Sequence, residues 1–114
     1  MIKFNNKRDI PVKLFKEAFE DRDGILYWKS RPIEHFSNEH EMEMWDDKRA
    51  GKMVNQKPNA NHLYAQVRFF NQTIIRHYII WILHTGEHPT AIPRIKHKDN
   101  DRSNDRFDNL SKVD

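Results

Sequence analysis

The run Ile95-Lys96-His97-Lys98-Asp99-Asn100-Asp101-Arg102-Ser103-Asn104-Asp105-Arg106-Phe107-Asp108-Asn109-Leu110 gathers most of the side chains in this sequence that could do chemistry. It reads as a strand, a dense polar loop and a second strand. Asn and Asp side chains bond to nearby backbone groups and can hold such a loop in one conformation. A histidine at the end of a strand, facing a rigid loop, is well placed to act as a general base, which makes His97 the first candidate. Lys96, Lys98, Arg102 and Arg106 could form a phosphate-facing patch, and Arg76, at the end of an earlier predicted strand, is counted with them. The plainer reading is an ordinary polar turn with an incidental histidine. Asp99, Asp101, Asp105 and Asp108 bring the local charge close to zero.

Other histidines are less suggestive. His77 stands at the start of a predicted helix, where a polar capping role competes with any role in chemistry. His35 and His40 are five residues apart with Glu39 and Glu41 beside the second, a poor spacing for metal ligands on a helix face, and a solvated surface is expected for both. The absence of cysteine excludes disulfides, thiolate zinc sites and a cysteine nucleophile.

The elements that must position these groups follow from periodicity. Leu14, Phe15, Ala18 and Phe19 recur at helical spacing and predict a helix over 12–20, with Pro11 suiting its first turn. Asp23-Gly24 marks a turn, and Ile25-Leu26-Tyr27-Trp28 reads as a strand. A short helix is expected over 39–48, capped by Ser37 or Asn38 and anchored by Met42, Met44 and Trp45. Residues 63–70 alternate, with Leu63, Ala65 and Val67 on one side and Tyr64, Gln66 and Arg68 on the other. Asn71-Gln72 is the expected hairpin turn, with 73–76 returning. A helix over 77–84 should end at Gly86, and Pro89 and Pro93 stop any continuation. A strand over 94–97 and a last strand over 107–113 complete an α+β chain of short hairpins and short helices, expected to form one domain over 1–114.

Bulk properties agree with a folded domain. Three Trp and seven Phe among 114 residues are too many large apolar groups to leave in water. The net charge of +3 permits contact with phosphates without demanding it. The N-terminus lacks an apolar signal-peptide core, and the longest apolar stretch, 79–83, is far too short to span a membrane. A cytoplasmic setting, with no membrane partner, is expected.

The order of these pieces resembles phage-type HNH endonucleases. Their motif typically runs D-H-x-N-G-D-x-x-D-N-R-x-x-N-L, and here the run is K-H-K-D-N-D-R-S-N-D-R-F-D-N-L, with His97, Asp101, Arg106, Asn109 and Leu110 in register. Upstream stand His77-Tyr78-Ile79-Ile80-Trp81 and His84-Thr85-Gly86-Glu87-His88-Pro89, and further upstream Leu26-Tyr27-Trp28-Lys29 and Arg49-Ala50-Gly51-Lys52. The resemblance covers about residues 25 to 110. It implies a ββα-metal fold, with His97 as the base that activates water, Asn109 as the residue that orients it, and Mg²⁺ or Mn²⁺ stabilising the phosphate and the leaving oxygen.

Two departures bear on that chemistry. The family usually places an Asp ligand immediately before the base, and this chain has Lys96, whose ammonium offers no lone pair and repels a cation. Asp99 would serve only after a register slip. The sequence also stops at Asp114, four residues after Leu110, so the motif's last helix and its ligand are expected to be missing unless Asp114 or another subunit substitutes. No metal ligand is assigned, and no cofactor is expected unless the protein cuts, in which case Mg²⁺ or Mn²⁺ is implied. The expectation is a phage-encoded HNH-like protein with an impaired centre, acting by binding nucleic acid or by blocking a host factor such as a defence complex. The alternative is an active HNH DNA endonuclease. Either a monomer or a dimer is compatible with the sequence.

Overall fold

A computed structural model describes residues 3–56, 64–89 and 94–113. Leu63, Pro93 and Asp114, invoked above, lie outside the described residues. The elements run α1 (Val12–Ala18), β1 (Phe19–Arg22), β2 (Ile25–Trp28), α2 (Glu39–Arg49), β3 (Gln66–Phe69), β4 (Gln72–Ile75), α3 (Arg76–Thr85), β5 (Arg94–His97) and β6 (Leu110–Val113), with short 3-10 turns at Lys7–Asp9, Ile33–His35 and Phe107–Asn109. The strands pair as three separate antiparallel hairpins, β1–β2, β3–β4 and β5–β6. This is the expected α+β arrangement. Among the described residues no helix is long and apolar enough to cross a membrane.

α3 is the hub. Tyr78, Ile79, Ile80, Trp81 and Ile82 are all buried, so the helix is enclosed on nearly every side rather than along one stripe. Gly86 ends it in the left-handed conformation, φ 75°, and donates to the Ile82 carbonyl at 2.8 Å. Around α3 pack Phe15 and Ala18 of α1, Phe19 and Leu26 of the first hairpin, Val67, Phe69 and Ile74 of the second, and Leu110 of the third. The aromatic rings interlock: Phe69 lies 5.1 Å from Phe15 and 4.8 Å from Phe19, between ring centroids, and Phe19 stacks on Trp28 at 4.7 Å.

Several boundaries differ from the expectation. α1 ends at Ala18, and Phe19 and Glu20 belong to β1, because pairing Phe19 with Trp28 buries both rings in a way a helix could not. α2 is capped by Asn38, whose side chain accepts from the Glu41 N–H at 2.8 Å, and Trp45 packs on the core; Met44 is 48% exposed and anchors nothing. The second hairpin turns one residue earlier than expected, at Phe70-Asn71, both with positive φ (46° and 62°). Burial of the Phe70 ring holds this strained pair, and Asn71 clasps the chain terminus through both backbone groups of Phe4. The last strand is shorter than expected, since Phe107–Asn109 forms a 3-10 turn before β6.

His35 overturns the expectation of a solvated side chain; His40 is exposed as expected. His35 is fully buried, accepting from Arg31 Nε at Nδ1 (3.0 Å) and reaching Glu17 Oε1 from Nε2 (3.2 Å). Arg31, 4% exposed, has its guanidinium ringed by Trp28, Phe36, Trp45, Phe69 and Phe70 at 4.8–5.6 Å. Burial brings the Arg31 pKa down to about 10 and lowers that of His35, with the Arg31 charge adding to the effect on His35 and Glu17 and Glu34 opposing it. The unfolded chain therefore takes up a proton at His35 more readily than the folded one. The contribution of His35 is full above its ordinary value near 6.5 and is lost as pH falls through the lowered folded value. Urea midpoints should drop as pH falls below about 6.5, and His35→Gln, which keeps an acceptor for Arg31, should show a shallower pH dependence over that window.

Candidate functional site

The β5–β6 hairpin and its loop build the site together with the first turn of α3. β5 pairs with β6 so that His97 lies opposite Leu110 and Lys96 opposite Ser111. The loop between them is held by its own side chains. Asp99 accepts from the Asp101 N–H (2.8 Å), from Asn104 Nδ2 (2.9 Å) and from Asn109 Nδ2 (2.9 Å). Asp101 accepts from the Ser103 N–H and hydroxyl at 3.0 and 2.6 Å. These donors hold the Asp99 carboxyl down to about 2, led by the Asn104 amide, and lower that of Asp101, led by the Ser103 hydroxyl. Asn109 also donates to the Asn104 carbonyl (2.9 Å) and accepts from the Asp99 N–H (3.2 Å), and its own carbonyl takes the Lys98 N–H (2.8 Å). Its side chain thus braces the loop below His97, with no hydrogen bond to the ring among the described contacts.

The residue that holds His97 is Asp105. His97 Nε2 lies 2.6 Å from Asp105 Oδ1, and Arg76 Nε donates to Asp105 Oδ2 at 2.9 Å. Asp105 is 1% exposed, His97 5% and Arg76 6%. Arg76 also donates to the Ser103 carbonyl (3.0 Å) and to Gln56 Oε1 (3.2 Å). Arg76, expected among the phosphate-facing cations, is therefore turned inward as the counter-ion of a buried carboxylate. A chain Arg76–Asp105–His97 fixes the imidazole through Nε2 and leaves Nδ1 as its other nitrogen.

His77, second residue of α3, is not a cap; Ile75 occupies that position. Its ring stands edge-on to His97 at 5.1 Å and beside Tyr64 at 5.2 Å, and Nδ1 is buried with no hydrogen-bond partner. Burial lowers its pKa to about 4, the Asp105 charge opposing and His97 assisting. His77, His97 and Asp105 each offer a donor atom within 4.8 Å of the others. Neither this grouping nor the role of Asp105 was visible in the sequence. Asp105 is one of several Asp residues in a polar run, and the fold alone brings it and the start of α3 to the same face of His97.

In front of His97 opens a cleft of about 570 Å³, lined by Tyr64, Arg94, Ile95, Lys96, His97, Asn100 and Arg102. Arg94, Lys96 and Arg102 are all exposed there, and the Arg102 guanidinium sits 5.5 Å over the Tyr64 ring. Lys98 and Arg106 are exposed but stand outside this lining. A larger cleft, about 650 Å³, lies elsewhere against β3 and β4 and includes Trp45, Arg49 and Arg68.

Gly24, in the β1–β2 turn with φ 89°, presses on this site from behind: a Cβ there would meet Arg106 N at 2.8 Å and Asp105 C at 3.0 Å. Gly24→Ala should destabilise the fold by about 2 kcal/mol or more, from left-handed strain and backbone overlap together. Urea unfolding should read this loss, with NMR shifts centred on Asp105 and His97. Asp105→Ala leaves Arg76 buried without its partner and should cost about 3–5 kcal/mol. Asp105→Asn should cost less, and both can be read from denaturation midpoints.

Comparison with known proteins accords with this geometry. Residues 75–113 match the family model of the HNH endonuclease. No curated protein matches the sequence. Among solved structures, the chain is similar to that of DNA binding and cleavage by the HNH homing endonuclease I-HmuI, at 17% identity and a TM-score of 0.56, over 91% of this chain and 51% of that one. The chain thus spans about half the length of that endonuclease. The matched stretch contains Arg76, His97 and Asp105, so residues 75–113 resemble the HNH endonuclease family, and the likeness over the rest of the chain is one of fold.

Proposed function

We propose that this protein binds nucleic acid through the cleft over His97, gripping a phosphodiester with side-chain cations, and that metal-dependent cutting at that cleft is impaired. The observation that carries the reading is the lining of the cleft, where Arg94, Lys96 and Arg102 converge on His97 with the Tyr64 ring beside them. Three cations and an aromatic face suit a phosphate backbone and a base. The I-HmuI structure, by its description, concerns DNA binding and cleavage, which makes DNA the first partner to test.

The residues around the cleft do not fit a hard divalent cation at the position the family implies. Lys96 stands immediately before His97 and brings an ammonium where an anionic oxygen is needed. Asp99, the nearest substitute in sequence, has both carboxylate oxygens committed to the loop. A second reading, an active nuclease, is favoured by one observation: the Asp105 contact at His97 Nε2 leaves Nδ1 as a proton acceptor, the arrangement a general base needs. Blocking a host factor, such as a defence complex of a phage-infected cell, is the reading that remains if nucleic acid is not bound.

Fluorescence anisotropy with short duplexes across a salt series tests the proposal. Binding should weaken steeply with salt, and Lys96→Ala or Arg102→Ala should each lower the log–log slope by about 1. No binding at low salt would overturn it. A plasmid-nicking assay with Mg²⁺ or Mn²⁺ separates the two readings. Little nicking by the natural chain and a gain in Lys96→Asp supports impairment, whereas robust nicking abolished by His97→Ala supports the active enzyme.

A further inference from the structure

Behind the cleft, on the Asp105 side of the His97 ring, lies a donor set that neither the cationic cleft nor the family's metal position accounts for. His77, His97 and Asp105 place one donor atom each within 4.8 Å of one another, from the first turn of α3, the end of β5 and the loop before β6. His97 and Asp105 are buried, and His77 Nδ1 is closed to solvent without any hydrogen-bond partner. A buried nitrogen left without a partner is costly, and a positively polarised ligand is what it lacks. The other Asp105 oxygen is held by Arg76 Nε at 2.9 Å, an outer contact of the kind that orients a ligating carboxylate.

We propose that His77, His97 and Asp105 bind one transition-metal ion of the zinc class. Two imidazole nitrogens and one carboxylate oxygen suit Zn²⁺ or Co²⁺, whereas Mg²⁺ prefers an all-oxygen shell. Three protein ligands leave a fourth, tetrahedral position to solvent. Ligand bonds of about 2.0–2.1 Å require the three groups to draw together around the ion, and the 2.6 Å His97–Asp105 hydrogen bond to open and admit it. The ion takes the Nε2 lone pair, so the proton that Nε2 shares with Asp105 moves to Nδ1. Occupation of this site thereby removes the free proton acceptor that His97 offers to the cleft. The site is separate from the position before His97, and its test needs no nucleic acid, so it stands or falls apart from the proposed function.

Untagged protein, stripped with chelator, is titrated with Zn²⁺, Co²⁺ and Mg²⁺ by calorimetry, with Co²⁺ binding followed by its visible absorption. The expected result is one equivalent of Zn²⁺ or Co²⁺ with a tetrahedral cobalt spectrum, and no comparable uptake of Mg²⁺. His77→Ala and Asp105→Asn should each weaken binding by at least about tenfold, while His40→Ala should leave it unchanged. Because the buried substitutions could disturb folding, the natural chain carries a second readout: Co²⁺ should broaden the His77 and His97 ring resonances first. Absence of Zn²⁺ and Co²⁺ uptake, binding indifferent to both His77→Ala and Asp105→Asn, or broadening centred on His40, His84 or His88 would overturn the assignment.

Discussion

The carboxylate of Asp105 carries charge to a place water does not reach, and much of the C-terminal half is arranged to keep it paired. Arg76 reaches it from the start of α3 and His97 from the end of β5. A buried charge of this kind is a weak source of net stability but a strong constraint, since removing either partner strands the other. It ties helix, strand and loop to one geometry. The Gly24 turn, in contact with the Asp105 and Arg106 backbone, extends that constraint to the N-terminal hairpin.

The loop from Asp99 to Asn109 ties Asp99 and Asp101 to its own donors while both stay exposed. Asp99 and Asp101 are consumed by amide, hydroxyl and backbone donors, so their charges fix the loop. Of the cations in this region, Arg94, Lys96 and Arg102 line the cleft, while Lys98 and Arg106 stand outside it. A run of near-zero charge thus sits beside a cleft whose lining carries cations and no carboxylate. Lys96, one of these cations, stands immediately before His97 in the sequence.

A second buried polar group, Glu17–His35–Arg31, plays the comparable part in the N-terminal half. Its aromatic surround, from Trp28 to Phe70, spans the first two hairpins and α2, and the Arg31 cation gives those rings a common centre. Here the guanidinium meets π faces and the His35 ring nitrogen, which explains how an arginine is accommodated at 4% exposure.

The sequence by itself determined most of the element types: α3 from its run of large apolar residues, β2 and β5 to the residue, a cap for α2 at Ser37 or Asn38, and the Gly86 stop. These follow from local periodicity and backbone preference, which need no distant partner. It also offered His97 and Asn109 as candidates through their order in the motif run. Only the tertiary structure decided that Arg76 faces inward, that His35 is buried, that Phe19 leaves its helix for a strand, and that Asp105 and His77 meet His97. Each of these depends on which groups the fold brings together from separate elements, and a polar side chain reads the same in sequence whether it will meet water or a buried counter-charge.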